Sequence, residues 1–142
     1  MTPVPDTNAP RVLLIDDDPV VRDSVQALLE YFGYECGIAA DGPSGLKRFE
    51  GDVWDLVMTD LVLPGMSGWE IIDDIRGRVP QMPVIVITGV DDPSVRTRAR
   101  QCQVSLLLKP FPLDELKATL SEAMDTRVLT SGHSPTPSQL TG

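Results

Sequence analysis

Short apolar runs alternate along the chain with segments whose apolar residues recur every three or four positions, and the alternation repeats five times. The first run, Val12-Leu13-Leu14-Ile15, predicts a buried strand that acidic residues end. A helix follows, with Asp18 as N-cap, Pro19 at the first helical position and an apolar stripe of Val21, Val25, Leu28, Leu29 and Phe32. Gly33 stands where a left-handed residue closes a helix. Residues 34–39 predict a second, weaker strand, and residues 44–50 a short helix contributing Leu46 and Phe49. Leu56-Val57-Met58-Thr59 is the third strand, ending at Asp60. The Gly65 and Gly68 region then turns into a helix carrying Ile71, Ile72 and Ile75. Residues 83–88 (PVIVIT) form the clearest strand, and Asp92-Pro93 opens a helix with Val95, Ala99 and Cys102 on one face. Leu106-Leu107-Leu108 is the fifth strand, and Leu113, Leu116, Leu120 and Met124 mark the last helix.

Five strands alternating with five helices imply βαβ crossovers and an α/β fold with a parallel sheet covered on both faces. The continuous apolar runs agree, because strands buried on both faces do not alternate in polarity. Residues 1–10 carry three prolines and only one acid, residues 126–142 are rich in Ser, Thr, Pro and Gly without apolar periodicity, and composition predicts disordered segments at both ends. The folded part is therefore expected over residues 11–125, one domain, which suits a length of 142 residues.

A formal net charge of −9 argues against direct nucleic-acid binding, which needs clustered Lys and Arg, but permits binding a cation. Cys36 and Cys102 lie far apart without CxxC spacing, so neither a disulfide framework nor a zinc site is indicated. No apolar run approaches the ~18 residues of a membrane span. No basic leader opens the chain, and a cytoplasmic location is expected.

In doubly wound sheets, ligands bind beyond the carboxyl ends of the strands. The residues at those ends here are Asp16, Asp17 and Asp18 after the first strand, Asp60 after the third, Thr88 after the fourth and Lys109 after the fifth. Carboxylates that converge repel one another, and an oxygen-rich acidic set suits Mg²⁺. A neighbouring lysine can pair with a transferred phosphoryl group, a threonine hydroxyl can hydrogen-bond it, and a carboxylate can attack phosphorus to give an acyl phosphate. A lone DDD run, threonine or lysine would be a helix start, a structural hydroxyl or a turn; their placement on four strand ends favours chemistry.

The segments VLLIDDDP (12–19), MTDLVLPGMSG (58–68), PVIVITG (83–89) and LLLKPF (106–111), in this order and spacing, resemble the receiver domain of two-component response regulators across about residues 12–124. The resemblance implies a flavodoxin-like (βα)5 three-layer sandwich with sheet order 2-1-3-4-5. It makes Asp60 the phosphoacceptor and Thr88 and Lys109 its switch hydroxyl and pairing lysine. Mg²⁺ or Mn²⁺ would be held by Asp17, Asp60 and the backbone carbonyl of Val62, with Asp16 acting largely through water. The implied partners are a sensor histidine kinase or histidine phosphotransfer protein, a downstream effector or output domain, and a second copy in a phosphorylation-dependent dimer. No membrane and no nucleic acid are implied, and no catalysis beyond self-phosphorylation and self-dephosphorylation. The Lys109–Pro110 peptide is expected to be cis.

Two positions depart from the pattern: Leu106 replaces the switch aromatic, and Cys102-Gln103-Val104 replaces a small Gly-Ala region. The resemblance also implies that the side chains at positions 62 and 90 flank the path of the water that hydrolyses the acyl phosphate; here they are Val62 and Val90, and neither can hydrogen-bond it. Arg96, Arg98 and Arg100 form the only dense basic cluster, with Arg96 and Arg100 on one helical face and Arg98 turned away. One alternative is a docking module that works without phosphorylation. Another is a haloacid-dehalogenase-like phosphohydrolase with Asp16 as nucleophile. The latter lacks an acidic pair after a strand beyond Lys109 and leaves Asp60 unexplained.

Overall fold

The sheet strands can be apolar throughout because both of their faces are covered. A computed structural model, described over residues 9–131, contains five parallel strands: β1 (Arg11–Ile15), β2 (Glu35–Ala39), β3 (Leu56–Asp60), and, numbered past a separate hairpin, β6 (Val84–Thr88) and β7 (Ser105–Leu108). The hairpin pairs β4 (Val62–Leu63) with β5 (Met66–Ser67). The helices are α1 (Pro19–Tyr31), α2 (Gly42–Glu50), α3 (Gly68–Arg78), α4 (Pro93–Cys102) and α5 (Leu113–Ser131). The sheet order is β2-β1-β3-β6-β7, all parallel, which is the expected 2-1-3-4-5 once the hairpin is set aside.

Successive residues of each strand serve opposite cores, as the two-residue period of a strand requires. Leu13, Ile15, Val57, Val84 and Val86 pack with Phe49 of α2 and Ile71, Ile72 and Ile75 of α3. Val12, Leu14, Leu56, Met58, Ile85 and Ile87 pack with Val25 and Leu29 of α1 and Leu116 and Leu120 of α5. Truncating one of these fully buried aliphatic side chains to Ala costs about 2–5 kcal/mol.

The helix starts follow local chemistry. Asp18 accepts from Val20 N–H at 2.9 Å, Asp41 from Ser44 N–H at 2.8 Å and Asp92 from Ser94 N–H at 2.8 Å, each ahead of a proline in the first turn. Ser67 and Glu70 form a reciprocal capping box at α3. Gly33 has φ +96°, as its place after α1 predicts.

Three boundaries differ from the sequence expectation. Helix α2 begins at Gly42 rather than residue 44, because Asp41 caps it. The β4–β5 hairpin was not anticipated; its signal is the Pro64-Gly65 turn, with Gly65 at φ +71°. Helix α5 runs to Ser131, past the domain boundary expected at residue 125; once nucleated, a helix gains a hydrogen bond for each residue added, even where composition is poor. The expectation of disorder for residues 1–8 and 132–142 lies outside the described residues. Among the described residues, no helix is long and apolar enough to cross a membrane.

Candidate functional site

Parallel pairing brings the carboxyl ends of β1, β3, β6 and β7 to one edge. Asp60 is the last residue of β3 and Thr88 the last of β6; Asp16 directly follows β1 and Lys109 directly follows β7. Asp16, Asp17 and Asp60 each offer an oxygen to a cluster no more than 4.8 Å across. Asp16 is fully buried, Thr88 is 1% exposed and Asp60 8% exposed, whereas Asp17 is open to solvent. The predicted site residues are therefore brought together, but in unequal environments.

Asp60 is held at both oxygens. Its Oδ1 accepts from Val62 N–H at 3.1 Å and its Oδ2 from Lys109 Nζ at 2.8 Å. The path to Val62 is set by Gly68, whose N–H donates to Leu61 C=O at 2.8 Å. A Cβ on Gly68 would lie 2.5 Å from the Asp60 carbonyl oxygen, so only glycine lets α3 start this close behind the carboxylate. Thr88 Oγ1 accepts from Val90 N–H at 3.1 Å, which pins the hydroxyl at the mouth of the β6–α4 loop. The Lys109–Pro110 peptide is cis, as expected.

Asp16 is the most constrained acid. Its N–H donates to Ala39 C=O at 3.1 Å, its carbonyl accepts from Arg22 at 2.8 Å, and its Oδ1 accepts from Asp18 N–H at 2.9 Å. Its Oδ2 lies 2.9 Å from Lys109 Nζ yet receives no hydrogen bond. Burial pushes the Asp16 carboxyl above its ordinary value; the Asp18 N–H and Lys109 pull it back, and the charge of Asp60 raises it further. Burial works against the Lys109 ammonium, but its contacts with Asp60 and Asp16 outweigh that and raise its pKa.

A buried carboxylate oxygen held only by its ion pair with Lys109, three converging acids and an all-oxygen donor set fit a hard divalent cation. Asp16, Asp17 and Asp60 are the side chains that would hold it. Val62, named as a carbonyl ligand by resemblance, is fixed here as the N–H donor that orients Asp60.

Three arginines make contacts that were not anticipated, and only the first lies at the site. Arg22 reaches back from α1 to the acidic turn. Arg98 stacks its guanidinium over Trp69 of α3, 4.8 Å from the ring centroid, while Arg96 pairs with Asp91 at 2.8 Å. Arg76 donates to the carbonyls of Met82, Cys102 and Gln103, closing the end of α4 where Gln103 sits at φ +55°. No sequence period signals such long-range contacts to backbone. Both cysteines are free, and burial pushes the Cys36 thiol up to about 12.

Residues 12–121 match the family model described as "Response regulator receiver domain". The chain belongs to this family. It is 33% identical over 111 residues to the response regulator MprA of Mycobacterium tuberculosis, covering 78% of this chain and 48% of that protein. It is 33% identical over 128 residues to the transcriptional regulatory protein ZraR of Klebsiella oxytoca, covering 89% of this chain and 29% of that one. The chain thus spans half or less of these relatives. Among solved structures, a response regulator receiver domain protein from Clostridium thermocellum superposes with a TM-score of 0.80 at 29% identity, over 85% of this chain and 98% of that one. A CheY-like receiver domain protein from Methanospirillum hungatei gives 0.79, also at 29% identity, over 84% and 97%.

Proposed function

We propose that this receiver domain accepts a phosphoryl group on Asp60 from a phosphohistidine of a sensor kinase or phosphotransfer protein. The observation that carries the reading is that, of the two acids on Lys109, Asp60 is the one that reaches the rim of the sheet, 8% exposed with Oδ1 oriented by Val62 N–H, while Asp16 is fully buried. Asp16 is fully buried and so poorly placed to attack a phosphorus, which counts against a phosphohydrolase using it.

The Asp60 carboxylate forms an O–P bond as the donor's N–P bond breaks, leaving the donor imidazole with its electron pair. Val62 N–H orients the nucleophile, and Lys109 is placed to follow the incoming negative charge from carboxylate to phosphoryl oxygen. Thr88, now bound by Val90 N–H, has a hydroxyl proton free to donate toward the phosphoryl group. Mg²⁺, when bound by Asp16, Asp17 and Asp60, supplies neutralisation of charge on the phosphoryl oxygens. An apolar groove of about 450 Å³, lined by Val20, Val21, Val25, Leu28 and Phe111, opens beside Lys109 and supports docking of a partner helix next to the phosphoacceptor.

The test is labelling with acetyl phosphate and Mg²⁺ followed by mass spectrometry of the intact chain. Wild type is expected to gain one phosphoryl group and Asp60→Asn none. Equal labelling of the variant, or none of wild type, overturns the assignment; labelling at Asp16 would favour the hydrolase.

A further inference from the structure

The acidic turn after β1 is held from a second direction. Arg22, one turn into α1, touches it twice: its backbone N–H donates to Asp18 C=O at 2.9 Å, and its guanidinium Nη1 donates to Asp16 C=O at 2.8 Å. The Asp16 carbonyl belongs to the peptide unit that carries the Asp17 nitrogen. Because that unit is planar, gripping its oxygen fixes the plane on which Asp17 is mounted. The next peptide unit, between Asp17 and Asp18, is held through the Asp18 N–H on Asp16 Oδ1. Both peptide planes flanking Asp17 are therefore tied down, one of them by Arg22, although the Asp17 side chain itself is exposed.

We propose that Arg22 is a positioning residue for the metal-binding acids, fixing the Asp16–Asp17 peptide so that the Asp17 carboxylate meets those of Asp16 and Asp60. This rests on the metal-assisted phosphoacceptor reading above. It makes a prediction opposite in sign to simple electrostatics. A guanidinium beside three carboxylates repels an incoming dication, so deleting its charge should tighten Mg²⁺ binding if Arg22 were only a nearby charge. If it positions the turn, deleting it weakens binding, as losses of supporting contacts around metal ligands do, by about 10-fold or more.

The contact is a single N–H···O=C bond, so a lysine can replace it where a bidentate fork would not allow the exchange. The experiment is calorimetric titration of Mg²⁺ into the unphosphorylated chain for wild type, Arg22→Met and Arg22→Lys. Asp60 labelling by acetyl phosphate is followed in parallel from low to saturating Mg²⁺. Arg22→Met is expected to bind Mg²⁺ about 10-fold more weakly, to recover wild-type labelling at saturating metal, and to be rescued by Arg22→Lys. Binding by Arg22→Met as tight as wild type or tighter overturns the proposal. So does a labelling defect that saturating metal leaves unchanged. Should Arg22→Met lack the native circular dichroism spectrum, Arg22→Gln is read by the same criteria. A wild type that binds no Mg²⁺ overturns the metal-assisted reading itself, and this inference with it; unaltered binding in the variant alone overturns only the role of Arg22.

Discussion

Lys109 Nζ lies 2.8 Å from Asp60 Oδ2, a contact made across 49 positions of sequence. It joins the ends of β3 and β7, which lie on either side of β6 in the sheet, and it places one cation among three acids. Removing that cation leaves Asp16 and Asp60 facing each other unrelieved. Lys109→Met is expected to lower metal-free stability by about 1–3 kcal/mol. Because the ammonium no longer competes for Asp16 and Asp60, Mg²⁺ should raise the melting temperature of this variant more than that of wild type. Thermal unfolding with and without Mg²⁺ measures both.

Asp16 is buried at a cost to the metal-free fold. Its carboxyl is raised by burial, so the folded chain binds that proton more tightly than the unfolded chain. The resulting stability is fully present below the ordinary carboxylate range and is lost as pH rises through the raised value. Asp16→Asn keeps an acceptor for Asp18 N–H and removes the charge. At pH 7 without metal it should be more stable than wild type by on the order of 1 kcal/mol, while binding Mg²⁺ more weakly. Urea unfolding at pH 7 with and without metal checks both signs.

Asp52 shows the opposite linkage. The Arg11 guanidinium, with Val53 N–H, holds its carboxyl down at about 2. The contact's stabilisation is present above the ordinary carboxylate value and is lost as pH falls toward 2. The urea midpoint of Asp52→Asn should therefore lie below that of wild type at pH 6, and the gap should close between about pH 4 and pH 2. A gap that stays constant over that range would show that the ion pair contributes nothing.

Gln103 closes α4 in the left-handed region at φ +55°, where a side chain is strained and glycine is not. Gln103→Gly is expected to stabilise the protein by about 0.5–1 kcal/mol, since the relief of strain exceeds the added freedom of the unfolded chain. Arg76→Met, which leaves the carbonyls of Met82, Cys102 and Gln103 without their shared donor, should cost about 1–3 kcal/mol. Chemical denaturation of both variants gives the two values.

Val62 and Val90 are 66% and 42% exposed beside Asp60 and Thr88, where each backbone N–H is already committed to the site. Their side chains are apolar and stiff, so neither can orient a water for in-line attack on the acyl phosphate. Self-dephosphorylation is expected to be slow. The first-order decay of phospho-Asp60 should be faster in the Val62→Asn/Val90→Glu double variant, and an unchanged rate would remove the valines from control of the water.

Much of this protein is determined by local sequence. The apolar runs mark the five sheet strands because a strand covered on both faces needs no polar side, and Asp18 and Asp92 mark helix starts because each can cap the donors that follow. Asp16, Asp17, Asp60, Thr88 and Lys109 were legible as candidates because parallel strands must bring their carboxyl ends to one edge. What local pattern could not specify was the division of labour among similar side chains. Asp16 and Asp17 are neighbours of identical chemistry, yet one is fully buried and ion-paired and the other is open to solvent. That difference arises from Ala39, Asp18, Arg22 and Lys109 converging on Asp16 from other elements. The same holds for Arg98 on Trp69 and Arg76 on three carbonyls: such contacts follow from how helices pack side by side, and they leave no period or motif in the chain. Local sequence set which residues could act, and the dielectric and hydrogen-bond environment created by packing decided which of them do.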